Sequence, residues 1–411
     1  MLLRNATPIV FYLCFVFMPV SMADELTNAL QEFQHTIVIN EQGEFGGKGV
    51  NFLLNKASAA QFFMIGETHG IAENPLLMAQ LFESLVQQGY QHLAIEVSPP
   101  MATHLNQVLE RGGLEALKAS YRYGYEPAFF GMAEEAELIF RAQKASLNSR
   151  ALWGLDYEVA GDRLLLDKLS QYSMPNAAQK NFEVIVKASD NAWEKYLNTR
   201  GPQYIYSFSG APSQVKALMD SWPDRTPDTD VILNTLYETL AINRLWVSGR
   251  GYESNVRRAH LLKNNFLHYW RDKPTAKVMI KLGASHLMRG VSSNNTFDVG
   301  SLVPSLAMVN NNQSFSILVL PGIDSKVAIL DPSAWEYKAV SAKDGYSEMA
   351  ESFYKHLNIE GFTVFDLASL RQTLFKPQYA DKENMRKLAL QFDALLIMTG
   401  SSPSNPLNVT D

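Results

Sequence analysis

Cysteine is almost absent. The 411-residue chain has one, Cys14, inside an apolar N-terminal stretch. Everything after that stretch therefore holds no disulfide, no thiolate metal ligand and no cysteine nucleophile. Long basic runs are missing too, and the net charge is -6, which argues against nucleic acid as a partner. Beyond the N-terminus no apolar run approaches the roughly 20 residues that a spanning helix needs. There is no HExxH and no cysteine–histidine spacing. A G-x-S-x-G nucleophile elbow is absent, and so are Walker and dinucleotide-type glycine motifs. Neither an internal repeat nor a low-complexity tract is present. What remains is an ordinary globular composition, 46% hydrophobic and 19% charged, long enough for two average domains or one large α/β domain with an insertion.

The N-terminus reads as a secretory signal. Arg4 supplies the positive end, Pro8 to Val20 is mostly apolar, and Ser21-Met22-Ala23 offers small residues at the two positions a signal peptidase reads. Cleavage after residue 23 is expected, with an uncleaved anchor as the alternative. Loss of residues 1–23 removes Arg4 and no acid, taking the net charge from -6 to -7. The expected location is periplasmic or secreted, without stable membrane insertion once the signal is removed.

Residues 24–58 read as a lead-in helix and a Gly-rich turn. Apolar runs over 61–66, 92–97, 151–155, 277–282, 315–320 and 392–398 read as strands, with helical spacing between the first two. Strand, helix, strand within about 35 residues is the βαβ unit of a parallel sheet. From about 160 to 272 the pattern is helical, broken at 201–213 and 221–228. The expected fold is α/β: a mixed, mainly parallel sheet flanked by helices, in which the helical insertion 160–272 caps the C-terminal strand ends of a domain spanning 24–411. Residues 321–390 mix polar loops and short helices whose order the sequence leaves open.

The stretch that organises the rest is Phe62 to Gly70, an apolar run that ends in Gly66-Glu67-Thr68-His69-Gly70. Glu67 and His69 stand at i and i+2, on one face if extended. A carboxylate there can hold one imidazole nitrogen and leave the other free as a base; the alternative is a histidine that caps the next helix. Glu96 closes the second strand, where a carboxylate is costly unless paired. Asp156 and Glu158 follow the third strand, with helix capping as the alternative. His286 follows the fourth through Gly283-Ala284-Ser285. Arg289 can reach an anionic group, or lie on the surface. Arg257-Arg258-Ala259-His260 reads as a solvated helix face. His92, His104 and His268 sit on ordinary amphipathic patterns. Tyr121, Tyr123 and Tyr125 cluster and can offer a phenolate ligand, an exposed aromatic loop being the alternative.

Taken in order, Gly66 to Gly70, Ala94-Ile95-Glu96, Arg257 to Asn264, Gly283 to His286 and Phe392 to Ile397 resemble the motifs of the erythromycin esterase-like family. That family sits in a wider superfamily with haem-binding ChaN-like and Tiki-like protease groups. The resemblance runs from about residue 60 to about 407. It implies a cleft between the sheet and a helical subdomain, and hydrolysis of an ester by a water that histidine activates. On this chain it implies His69 as general base, Glu67 and Glu96 as orienting or tuning groups, and His286 and Arg257 at the substrate carbonyl. Asp156 and Arg289 complete the candidate substrate-binding set. Only Thr68 separates Glu67 from His69, a spacing closer to the ChaN-like and Tiki-like versions, so a haem- or metal-binding protein and a metalloprotease stand as alternatives. A divalent metal held by Glu67, His69, Glu96 and His286 is the first candidate cofactor and haem the second. The expected partner is a small-molecule substrate; the oligomeric state is not legible.

Overall fold

The computed structural model describes residues 22–121, 127, 129–342 and 348–407. The segment read as an export signal lies outside these, apart from its last two residues. In chain order the strands are β1 (Gln34–Ile39), β2 (Phe45–Gly46), β3 (Phe62–Glu67), β4 (Tyr90–Ile95), β5 (Leu152–Gly154), β6 (Lys277–Gly283), β7 (Ser314–Pro321), β8 (Lys326–Asp331), β9 (Glu336–Ser341), β10 (Gly361–Asp366) and β11 (Ala394–Thr399). Nine of them form one sheet in the order β2-β1-β10-β11-β7-β3-β6-β4-β5, and β8 pairs only with β9. From β11 to β5 each pairing is parallel. β2, β1 and β10 join antiparallel at one edge.

Strand β3 lies in the middle, and all six of its residues are buried. That is the reason its sequence is apolar without alternation, as expected of a parallel strand covered on both faces. Phe63 and Ile65 pack on one face with Leu77 and Leu81 of the helix Glu73–Val86. Phe62 and Met64 pack on the other with Leu262 and Phe266 of the helix Gly251–Asp272. The Phe62 and Phe266 rings meet edge to face at 5.6 Å, a favoured aromatic geometry. β3 is thus fixed from both sides, and its carboxyl end is held in register with β6, Glu67 lying opposite Gly283.

The helices Asp162–Leu169, Asn176–Thr199, Pro212–Asp220, Pro227–Val247 and Gly251–Asp272 fill the segment that reads as helical. Trp193, Tyr196, Leu233 and Leu240 give part of it an apolar core of its own. The last of these helices packs Leu262 and Phe266 onto the sheet, which carries Arg258, one turn earlier, over the strand ends.

Two readings need correction. The 24–58 segment is not only helix and turn: it holds β1 and β2 between the helices Met22–Glu32 and Lys48–Ser58. β1 is three polar residues followed by three apolar ones, with only Ile37 buried, so neither a long apolar run nor clean alternation announces it. The 321–390 segment contains the β8–β9 hairpin and the fully buried β10. β10 pairs antiparallel with both β1 and β11, a long-range pairing without a local signal. In addition, the helix Pro99–Ser120 is interrupted by non-helical backbone at Gly112 and Gly113.

Candidate functional site

The carboxyl ends of β3, β4 and β6 open on a cavity of about 470 Å³ lined by Glu67, His69, Glu96, Asp156, Arg258 and His286 among others. This is where open α/β sheets bind ligands. The candidates are built from different strand ends, and each is placed by backbone that the sequence explains. β3 ends at Glu67, and Gly70 then turns the chain with φ of +84°. A Cβ on Gly70 would lie 2.1 Å from the Ala328 carbonyl oxygen, so only glycine allows this approach. Glu96 is the first residue after β4. Gly283 ends β6, donates its N–H to Glu96 Oε2 at 2.6 Å, and leaves open the space a Cβ would take 3.0 Å from His69 Nε2.

His69 Nδ1 lies 2.9 Å from Glu67 Oε1. Glu67 is held below the usual carboxylate range: burial pushes it up, but the Lys281 ammonium and His69 outweigh burial. An ionised carboxylate only accepts, which assigns the His69 proton to Nδ1 and the lone pair to Nε2. His69 itself is raised. Burial alone would lower it, but the Glu67 hydrogen bond and the charges of Glu96 and Glu67 dominate. Its ring stacks on Phe129 with centroids 3.9 Å apart.

Beneath His69 lies a buried charge network. Lys281 is 4% exposed and bridges Glu67 and Glu135, each 1% exposed at the side chain. Its Nζ donates to Glu135 at 2.6 Å and also to Glu67. Asn74 donates to the second oxygen of Glu67. Burial, helped by the Glu67 charge and opposed by Lys281, pushes Glu135 up to about 7, while Lys281 is raised because its two carboxylates outweigh its burial.

Glu96 is the hub of the other half. Its Oε2 stands 3.6 Å from His69 Nε2 and its Oε1 3.8 Å from His286 Nε2. Arg258 Nη2 donates to Oε1 at 2.8 Å while its Nε donates to Asp156 at 3.0 Å. Burial works to raise Glu96, yet His69, His286, Arg258 and the Gly283 N–H bring it down to about 2. It is therefore an anion at any working pH. His286 Nδ1 meets Asp298 Oδ2 at 2.8 Å, and Asp298 Oδ1 accepts from the Val299 N–H at 2.7 Å as a helix cap. The Arg258 guanidinium lies 4.8 Å from the centre of the Tyr157 ring. Glu158 accepts from the Ser98 hydroxyl at 2.8 Å, and burial lifts it to about 7.

Of the residues singled out in the sequence, Glu67, His69, Glu96, Asp156 and His286 meet here. Arg257 and Arg289 do not. Arg257 pairs with Glu238 through Nε at 2.6 Å on the neighbouring helix, and the residue over the site is Arg258. Arg289 donates to Asp393 at 2.8 Å, which also takes Arg371 and the Ser316 N–H, a clamp at the start of β11. Lys281, Glu135, Asn74, Asp298 and Phe129 were not anticipated. A lysine inside the apolar run Lys277–Gly283 is the one signal that was available, since a buried cation demands partners. Among the described residues no group of three or more His, Cys, Asp or Glu side chains stands in metal-holding geometry. The oxygen and nitrogen donors of Glu67, His69, Glu96 and His286 are turned to one another and to Lys281, Arg258 and backbone N–H groups. Tyr123 and Tyr125 lie outside the described residues.

No protein-family model and no curated protein matches this chain. Solved structures do. A mutant of the erythromycin esterase EreC in its open conformation matches with a TM-score of 0.59 at 15% identity, over 91% of this chain and 99% of that one. A Bacillus cereus protein matches with a TM-score of 0.57 at 11% identity, over 93% and 98%. A succinoglycan biosynthesis protein matches with a TM-score of 0.58 at 14% identity, over 93% and 98%. The likeness spans nearly the whole of each chain, and the fold is erythromycin esterase-like.

Proposed function

We propose that this protein is an exported hydrolase that cleaves an ester, or a related acyl bond, of a small molecule with water activated by His69. The observation that carries the reading is one imidazole held through Nδ1 by an ionised glutamate, with Nε2 turned to a polar cavity between two further charged clusters. The esterase among the structural neighbours supports the same class at the level of fold. The signal-like sequence of the N-terminus, Arg4 followed by the apolar Pro8 to Val20, supports the export part of the reading.

His69 Nε2 takes a proton from water as the water attacks the carbonyl carbon. Glu67 keeps Nδ1–H in place and stabilises the imidazolium that forms. As the C–O bond breaks, the imidazolium returns that proton to the leaving oxygen. The developing oxyanion needs a donor. His286, held through Nδ1 by Asp298, turns Nε2 to the same cavity, and Arg258 supplies fixed positive charge behind Glu96. Glu96 tunes both histidines and holds Arg258.

The test is a panel of simple esters assayed with and without added divalent cations and with chelator. Wild-type protein should hydrolyse at least one, and His69→Ala should lose about 10²–10⁴-fold in rate while its unfolding midpoint stays near that of wild type. A wild type no faster than His69→Ala across the panel rejects the reading.

A further inference from the structure

Beside the polar cavity lies a second one of about 150 Å³ whose lining is almost wholly carbon. Val159 lines both. The other walls come from two sides: Ala160, Ile205 and Phe208 from the helical segment, and Leu330 and Trp335 from the β8–β9 hairpin. The hairpin is tied down at both ends. The Ala328 N–H donates to the Gly70 carbonyl at 2.9 Å, directly after His69. At the turn, Trp335 packs edge to face against Trp193 and Tyr196, with centroids 5.9 Å away in each case. The Tyr196 hydroxyl donates to the Pro332 carbonyl at 2.8 Å. The hairpin that walls the pocket is therefore fixed at one place to the turn after His69 and at another to the helical segment.

Its size and lining define its occupant. A dry apolar cavity of about 150 Å³ holds a molecule the size of benzene. A polar cavity with a base, sharing the wall residue Val159 with an apolar pocket of that size, fits an ester with its carbonyl in one and a compact hydrocarbon group in the other. Resting on the hydrolase reading, we infer that the substrate is an ester carrying an apolar arm of about one aromatic ring, received between the helical segment and the hairpin. The hairpin is then the specificity element of the site. This places no demand on whether the arm belongs to the acyl or the alcohol side.

Two measurements test this. The first is binding of fluorobenzene alone, followed by ¹⁹F line broadening. Wild type should broaden the line, and Ala160→Phe, which fills the pocket, should abolish the effect. The second compares ethyl acetate with benzyl acetate and ethyl phenylacetate. The arm should lower KM for one aryl ester by about tenfold or more relative to ethyl acetate. Ala160→Phe should remove that advantage, bringing KM for the aryl esters to that for ethyl acetate. Ile205→Ala enlarges the pocket and guards against a misfolded first variant; it should shift preference toward a naphthylmethyl ester. Hydrolysis with equal KM for all arms, and no fluorobenzene binding, overturns the apolar site and leaves the hydrolase reading intact. Fluorobenzene binding that Ala160→Phe abolishes, with no ester hydrolysed by wild type, upholds the pocket and overturns the hydrolase reading.

Discussion

His69 and His286 are built to the same plan from different materials. Each follows a strand of the parallel sheet, β3 and β6 being neighbours. Each is held through Nδ1 by a carboxylate, Glu67 at 2.9 Å and Asp298 at 2.8 Å. Each turns Nε2 toward Glu96. What differs is how the carboxylate is held. Asp298 relies on local means, the N–H group at the start of the helix Val299–Val309. Glu67 relies on Lys281, which sits in the neighbouring strand and is shared with Glu135. A capped aspartate is a self-contained device. A buried lysine between two glutamates is stable only if all three arrive together, since each charge alone would be strongly penalised. The less buried imidazole, the one assigned the proton transfer, has the costly support.

That difference should appear first in stability. Lys281→Met leaves Glu67 and Glu135 buried without their cation, and removing one partner of such a network costs about 3–5 kcal/mol. Urea unfolding at neutral pH should show a loss of that size. Adding Glu67→Gln removes the carboxylate that Lys281 holds ionised and should recover part of the loss. A Lys281→Met protein within about 1 kcal/mol of wild type would mean that the network carries no special weight. On the other side, Asp298→Ala removes a cap and the partner of His286, and should cost about 0.5–2 kcal/mol. The comparison fails if the two variants unfold at the same urea concentration.

The two halves also differ in how far the sequence announces them. The parallel strands are continuous apolar runs, and their ends declare Glu67, His69, Glu96, Asp156 and His286 because polar groups after such runs must surface together at one rim. Arg258 was missed in favour of Arg257 by one position, about 100° around a helix, and only the packing of Leu262 and Phe266 on the sheet decides which of the two faces the strand ends. Asp298 looks like any helix cap. Glu135 lies in the first turn of its own helix, Ala133–Ala145, where an acid is unremarkable. Its meeting with Lys281 depends on tertiary structure that no local pattern encodes. The antiparallel edge was illegible for a related reason: β1 and β10 are joined across more than three hundred residues, and β1 is only half apolar.

The smallest effect expected is the most discriminating. A base must be unprotonated to work, so kcat/KM should fall as pH drops through the pKa of the working histidine. His69 faces Glu67 and Glu96, which raise it, and Lys281, which lowers it along with burial; the net result is a rise. The acid limb should therefore lie above the ordinary histidine value of about 6.5. Glu96→Gln removes one of the raising charges, so the limb should move to lower pH. Of the two histidines Asp298→Asn touches only His286, and the asparagine can keep the cap on Val299, so it should leave the limb where it is, even if the maximal rate declines. If Asp298→Asn instead carries the limb downward while Glu96→Gln does no more than match it, the base is His286. The network under Glu67 would then be a structural support, and the proton transfer would belong to the cheaper of the two constructions.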